Sequence, residues 1–271
     1  MNNCSICFVI NTLNEENLPI VLKNLSLFKL SPYKIKTILI VVENYELYEK
    51  YRKILSQDKK LRNEVLTLFV NKNIPLSVGR NIGLKKCKSD YIAFIDDDVL
   101  LTNAWITTAI NIFKRYDNVV AITGRCIPYV SGRKYIEKLL LNDFYWLIGC
   151  TYYDYADSSK DHFYINTLIG SNMIFRRKIF DNIGGFNQKL GFISKGERKI
   201  YIGGEDTEIS YRIVLNGIGK IVYSEKMTSY HIISFKKLHI FTMIKRAFLY
   251  PLSLKLVYIE LLRQKLQIDN K

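Results

Sequence analysis

The sequence predicts an α/β fold: a mainly parallel sheet flanked by helices. Three observations carry that expectation. Short apolar runs alternate with helical patterns through the first half of the chain. Those runs are apolar on both faces, as strands are when helices cover both sides of a sheet. Polar clusters follow two of them, at the carboxyl ends where parallel sheets place their ligands.

SICFVINT, Ser5 to Thr12, reads as the first strand and opens into the polar cluster NTLNEE. Glu15 to Phe28 has helical period, KTILIVVE is a second strand, and YELYEKYRKIL is a second helix. EVLTLFV, SVGRNIGLKKC and DYIAFID continue as strand, helix and strand, the last ending in Asp96, Asp97 and Asp98. TNAWITTAI follows as a helix. From about residue 130 the alternation weakens into an aromatic stretch without a clear period. TLIGSNMIFRR then reads as a strand, and in NIGGFNQKLG the glycines Gly184 and Gly185 suit a turn with positive backbone angles. GGEDTEISYRIVLNG is a helix with glycines before and after it. No repeat or low-complexity linker marks a domain boundary.

Phe235 to Lys271 differs in composition. It carries eight Lys or Arg against two acidic residues, interleaved with Phe241, Ile244, Phe248 and Leu252 among other apolar positions. That pattern fits a pair of basic amphipathic helices broken near Pro251 and lying on an anionic membrane surface. It fits equally a terminal helix packed on the sheet with a solvated charged face.

The chain is 48% hydrophobic and 24% charged with five prolines, a globular balance that excludes disorder as the general state. Lys plus Arg exceed Asp plus Glu by 40 to 25, which favours polyanionic partners without choosing among nucleic acid, lipid and phosphorylated small molecules. Cys4, Cys7, Cys87, Cys126 and Cys150 show no metal or redox spacing and read as reduced core thiols. Those thiols, the absence of a basic n-region before Ser5 and the lack of about 18 uninterrupted apolar residues give a cytoplasmic expectation, at the membrane face if the tail docks.

Asp96 and Asp98 fall on one side of their strand by alternation, and two converging carboxylates repel unless a cation or donors neutralise them. Mn2+ or Mg2+ is the expected ion, since hard cations take carboxylate oxygens and leave places for substrate phosphates. A solvated acidic turn before the next helix is the plain alternative. Acids in GEDTE, including Glu205 and Asp206, either cap a helix N-terminus or do chemistry there.

Taken together, VINTLNEENLPIVLKNL, SVGRNIGLKKCKSDYIAFIDDDVLL, GSNMIFRRKIFDNIGGFNQKL and GGEDTEISYRIVLNG resemble, in order, the motifs of family 2 nucleotide-sugar glycosyltransferases from about Ser5 to His231. The resemblance implies a GT-A fold with a mixed, mainly parallel sheet and a helical C-terminal extension. It implies an inverting, metal-dependent transfer of a sugar from a nucleoside diphosphate to a glycan, lipid-linked or protein-linked acceptor. Asp206 matches the catalytic base, and Glu205 beside it positions the acceptor. Thr12, Asn14, Glu15, Glu43, Arg80, Asn81, Asp96 and Asp97 fall to the nucleotide-sugar. Asp98, Asp96 and His231 fall to the metal, His231 matching a histidine that in some relatives reaches the metal or the diphosphate. The organisation implied is a domain over 1–234, with 1–125 binding nucleotide and 126–234 binding acceptor, followed by the tail over 235–271.

One departure concerns the donor. The second strand ends in IVVEN, so Glu43 and Asn44 stand where the family has paired aspartates, leaving UDP-, GDP- and dTDP-sugars all open. The aromatic residues between Tyr129 and Tyr164 suit stacking on an acceptor sugar. A nucleotidyltransferase shares the sheet and the metal carboxylates but wants a glycine-rich phosphate loop, which NTLNEE lacks. A basic nucleic-acid-binding protein would explain the net charge of +15, yet no recognition motif accompanies it and no specific nucleic acid is expected.

Overall fold

The computed structural model describes residues 4–13, 16–30, 33–57, 64–72, 74–130, 142–151, 162–191, 193–195, 198–200 and 203–269. The strands β1 (Ser5–Thr12), β2 (Lys34–Val42), β3 (Val65–Val70) and β4 (Tyr91–Asp96) run parallel. The helices α1 (Leu18–Ser26), α2 (Tyr45–Gln57) and α3 (Leu76–Lys86) connect them. Beyond β4 the chain makes β5 (Val99–Leu101), α4 (Trp105–Arg115), β6 (Val119–Tyr129), β7 (Phe163–Ile165), β8 (Asn172–Arg176) and α5 (Phe180–Ile183). A two-stranded ribbon of β9 (Ile193–Lys195) and β10 (Arg198–Ile200) precedes α6 (Glu205–Leu215), β11 (Lys220–Ile232) and α7 (Ile240–Asp269).

Among the described residues nine strands share one sheet in the order β3-β2-β1-β4-β8-β6-β11-β5, with β7 also on β11. The sheet is mixed because β8 inserts antiparallel between β4 and β6. β11 is long enough to pair with β7 through Ile221–Tyr223 and with β5 through Ser229–His231.

Alternation along β1 builds the two core layers. Ile6, Phe8 and Ile10 pack against Leu18, Val21 and Leu25 of α1, Leu47 and Tyr51 of α2, and Trp105 of α4. Cys7 and Val9 face the other way, into a layer with Leu84 of α3 and Ile209 and Ile213 of α6. Trp105 is fully buried, and its indole N–H, which needs a partner once removed from water, donates to Asn172 Oδ1 at 2.6 Å.

Several boundaries differ from the sequence expectation. The first helix begins at Leu18 rather than Glu15, with a proline in its first turn, the place where a missing N–H costs nothing. Only Asn172–Arg176 of TLIGSNMIFRR is strand. The 125/126 division falls inside β6. The tail is one helix instead of a broken pair: Pro251 lies within α7 and removes a single donor. The helix continues because its second half is held against α6, with Val257 and Glu260 buried and Gln264 Nε2 donating to Glu208 Oε1 at 2.8 Å. Gly204 permits that approach: it has φ of 101°, and a Cβ there would lie 2.6 Å from Val257 Cγ2. No described helix is long and apolar enough to cross a membrane.

Candidate active site

A cavity of about 730 Å³ opens at the carboxyl ends of β1 and β4, and α3, α6, β11 and α7 contribute to its wall. β1 and β4 are in register there, Asn11 opposite Asp96, so strand pairing alone puts the two polar clusters read from the sequence side by side. Asn11 lines the cavity with a buried side-chain oxygen that has no hydrogen-bond partner among the described residues.

All three aspartates line the cavity, each with its own partners. β4 ends at Asp96, so the strand alternation expected to relate Asp96 to Asp98 does not extend to Asp98. Asp96 Oδ1 lies 3.4 Å from Arg80 Nη2. Asp97 Oδ2 accepts from Thr12 Oγ1 at 2.5 Å. Asp98 ends the turn into β5, and the pairing of Val99 with His231 brings that histidine to it: His231 Nε2 is 3.0 Å from Asp98 Oδ1. Lys237 Nζ completes the group, 2.8 Å from Asp98 Oδ2 and 3.1 Å from His231 Nε2.

The electrostatics separate the three carboxyls. Burial pushes Asp97 up to about 7, against the opposing Thr12 hydrogen bond. Burial also raises Asp96, with Arg80 opposing it. Burial acts on Asp98 too, but the charges and hydrogen bonds of His231 and Lys237 overcome it and hold that carboxyl below the ordinary range. In return, and although its own burial favours the neutral ring, Asp98 raises His231 to about 10. The Gly149 carbonyl lies 2.9 Å from His231 Nδ1 and can only accept, so Nδ1 carries a proton in either charge state of the ring, and Nε2 faces Asp98.

A second cluster forms where α6 begins. Arg80, on α3 and 3% exposed at its side chain, donates to Glu205 Oε1 at 2.7 Å and to the Gly170 carbonyl at 2.8 Å. Burial raises Glu205 to about 7, with Arg80 acting against it and Asp206 adding to it. The Asp206 carboxylate accepts from the backbone N–H of Gly170 at 2.9 Å and of Thr207 at 2.8 Å. Gly170 must be glycine for this approach, since a Cβ would sit 2.7 Å from Asp206 Oδ2.

Of the residues expected at the site, Thr12, Arg80, Asp96, Asp97, Asp98, Glu205, Asp206 and His231 line the one cavity. Asn81 does not: its amide donates to the Phe186 carbonyl and accepts from the Phe186 N–H, clamping the glycine turn. Glu43 stands outside the lining with φ of 58° at the end of β2. Asn14 and Glu15 lie outside the described residues, as does much of the aromatic stretch. One of its rings is described at the cavity, where Trp146 meets Tyr250 of α7 with centroids 5.1 Å apart.

Sequence reasoning missed Asn11, Gly149 and Lys237, and it missed the gathering of Cys126, Cys150 and His231. Their potential ligand atoms all lie within 4.8 Å of one another, although no spacing in the sequence announces it. The donor set at the cavity suits a divalent cation. Asp98 offers carboxylate oxygen, and His231 offers Nε2 with its other nitrogen already anchored on a carbonyl, the support that ligating histidines use.

A model of "Glycosyl transferase family 2" matches residues 7–184. Over 161 residues the chain is 25% identical to a glucosyl-dolichyl phosphate glucuronosyltransferase of Haloferax volcanii, covering 59% of this chain and 49% of that protein. Among solved structures, GalNAc-T7 with UDP, GalNAc and Mn2+ superposes with a TM-score of 0.62 and 17% identity, over 85% of this chain and 44% of that one. The chain therefore spans about half the length of each, and the second likeness is one of fold. With the family model covering the strands that carry Thr12 and Asp96–Asp98 and running on through β8, the chain belongs to glycosyl transferase family 2, on a GT-A fold.

Proposed function

We propose that the chain is an inverting, metal-dependent glycosyltransferase that moves a sugar from a nucleoside diphosphate to a glycan, lipid-linked or protein-linked acceptor. One observation carries the reading: a single cavity holds both a cation-ready pair, Asp98 with His231, and a carboxylate fixed by two backbone N–H groups, Asp206. Bound Mn2+ or Mg2+ supplies positive charge to the leaving diphosphate. Asp98 and His231 would hold it, with Asp96 facing the donor. Asp206 takes the acceptor hydroxyl's proton as that oxygen bonds to the anomeric carbon and the bond to the diphosphate breaks, a single displacement that inverts the centre. Glu205 and Arg80 brace the first turn of α6, which carries Asp206, and Trp146 with Tyr250 offers an aromatic wall for the acceptor. The Haloferax relative's name, which contains a dolichyl phosphate, supports a lipid-linked acceptor.

Incubation with UDP-, GDP- and dTDP-sugars and Mn2+ tests the reading. Slow donor hydrolysis that EDTA stops is expected for one nucleotide. No binding or hydrolysis of any of them, with EDTA making no difference, overturns it.

The tail contributes a place of action. Phe241, Ile244, Phe248 and Leu252 form one exposed stripe on α7, 73%, 45%, 75% and 56% exposed, with Lys245 and Lys255 beside it. We read it as a contact with an anionic membrane surface at the cytoplasmic face. Because α7 also packs on α6, deletion is a poor test and substitution a better one. F241S/F248S is expected to lose sedimentation with phosphatidylserine vesicles while keeping its thermal midpoint; unchanged sedimentation removes the membrane role.

A further inference from the structure

The place where a divalent cation would meet Asp98 and His231 is taken by the protein's own ammonium. Lys237 Nζ touches both groups, at 2.8 Å from Asp98 Oδ2 and 3.1 Å from His231 Nε2, while those two groups are 3.0 Å apart. Lys237 can donate to His231 Nε2 only when that nitrogen carries no proton, the same neutral form in which the ring would ligate a metal ion, so the ammonium and an ion call on one cluster of carboxylate and ring nitrogen. The surroundings are built for the cluster: the side chains of His231 and Asp98 are 6% and 17% exposed, and the Gly149 carbonyl fixes the ring.

We propose that Lys237 is an internal placeholder: its ammonium holds the cation position in the donor-free protein and leaves when the divalent ion binds. The inference rests on Asp98 and His231 being the cation ligands. A divalent ion and the ammonium cannot occupy one position together, since both would need the same Asp98 and His231 atoms and their like charges repel. Lysine suits an exchange better than arginine. Its charge sits on a flexible stem and makes single contacts, without a bidentate fork to break. Lys237 lies in the short helical turn Phe235–Leu238, between β11 and α7, and its side chain is 27% exposed, so it has a way out toward solvent. Filling the position gives the largely buried Asp98 a charged partner on Oδ2, beside the His231 contact on Oδ1, when no ion is present. It also makes ion binding weak until the donor's diphosphate arrives to attract both the ion and the displaced ammonium.

Mn2+ binding to the donor-free protein, read as free Mn2+ by electron paramagnetic resonance, tests the exchange without using activity. Lys237→Met should bind Mn2+ about a hundredfold more tightly than the unsubstituted chain, the effect on a divalent ion of one unit charge ~3 Å away at the dielectric constant of water. Asp98→Asn should abolish that tighter binding when combined with Lys237→Met. In the unsubstituted chain, acylation of Lys237 followed by peptide mass spectrometry should rise when Mn2+ is added, a readout that does not depend on the variant folding. Equal or weaker Mn2+ affinity in a folded Lys237→Met chain overturns the placeholder and leaves the metal-dependent reading standing. Acylation of Lys237 unchanged by saturating Mn2+ also overturns it. Absence of Mn2+ binding in every chain overturns both the placeholder and the metal dependence.

Discussion

Asp206→Asn is expected to lower transfer by about 10²–10⁴-fold, the usual contribution of a positioned general base, while the donor's dissociation constant changes little. The substitution keeps the shape and removes only the capacity to accept a proton. The structure also says what else it disturbs. Both oxygens of Asp206 accept backbone N–H groups, from Gly170 and Thr207, and an asparagine can satisfy one of them and presents a donor to the other. A stability loss of about 1–3 kcal/mol is therefore expected alongside the rate loss. The two effects separate by measurement: donor binding by calorimetry at a temperature where the variant is folded, and transfer rate at the same temperature. Intact transfer, or loss of donor binding in a folded protein, would remove Asp206 from the role of base. Glu205→Gln is the useful contrast. Glu205 faces Arg80 within the cluster, so its change should alter the apparent acceptor affinity more than it alters the proton transfer.

What the sequence made legible follows from the physics of each half. β1 to β4 are continuous apolar runs separated by helices, a pattern set by local burial on both faces, and they emerged nearly where the structure has them. The second half of the sheet is different. β6 and β11 carry Thr123, Arg125, Ser224 and Ser229 within them, so neither shows an unbroken run, and their mutual pairing joins residues about a hundred apart, such as Thr123 with Tyr223. No local period reports such a pairing.

The site shows the same division. The aspartates and GEDTE stood out because charge at the end of a strand or the start of a helix is conspicuous in one dimension. Lys237 did not, because it sits among eight basic residues of a tail and its contact with Asp98 spans 139 positions. Arg80 was placed at the site, with the nucleotide-sugar in view. Its guanidinium also meets Glu205, Asp96 and the Gly170 carbonyl, three contacts that only the tertiary structure brings together. Asn81, on the same helix, was grouped with it by sequence, and one residue's rotation sends its amide to the Phe186 turn.

Arg80→Ala should be the most destabilising change at the site. It leaves Glu205, 6% exposed, without its cationic partner, and removing one member of a buried ion pair costs about 3–5 kcal/mol. The size should depend on pH in a definite direction. Glu205 already has its carboxyl raised to about 7, burial prevailing over Arg80. A carboxyl raised in the folded state binds its proton more tightly there than in the unfolded chain, so stability falls as pH rises from the ordinary carboxylate range toward the folded value. Removing Arg80 raises the folded value further and extends that fall to higher pH. Urea unfolding should therefore show a modest deficit for Arg80→Ala at pH 5, where Glu205 is protonated in the folded protein and only hydrogen bonds are lost, and a larger one at pH 8. Arg80→Met with Glu205→Met removes both charges at similar volume and should recover much of the loss, because apolar replacement of a buried pair is often neutral. A deficit that is the same at both pH values would show that Arg80 acts through packing on the Phe186 ring, 5.6 Å from its guanidinium carbon, rather than through the charge of Glu205.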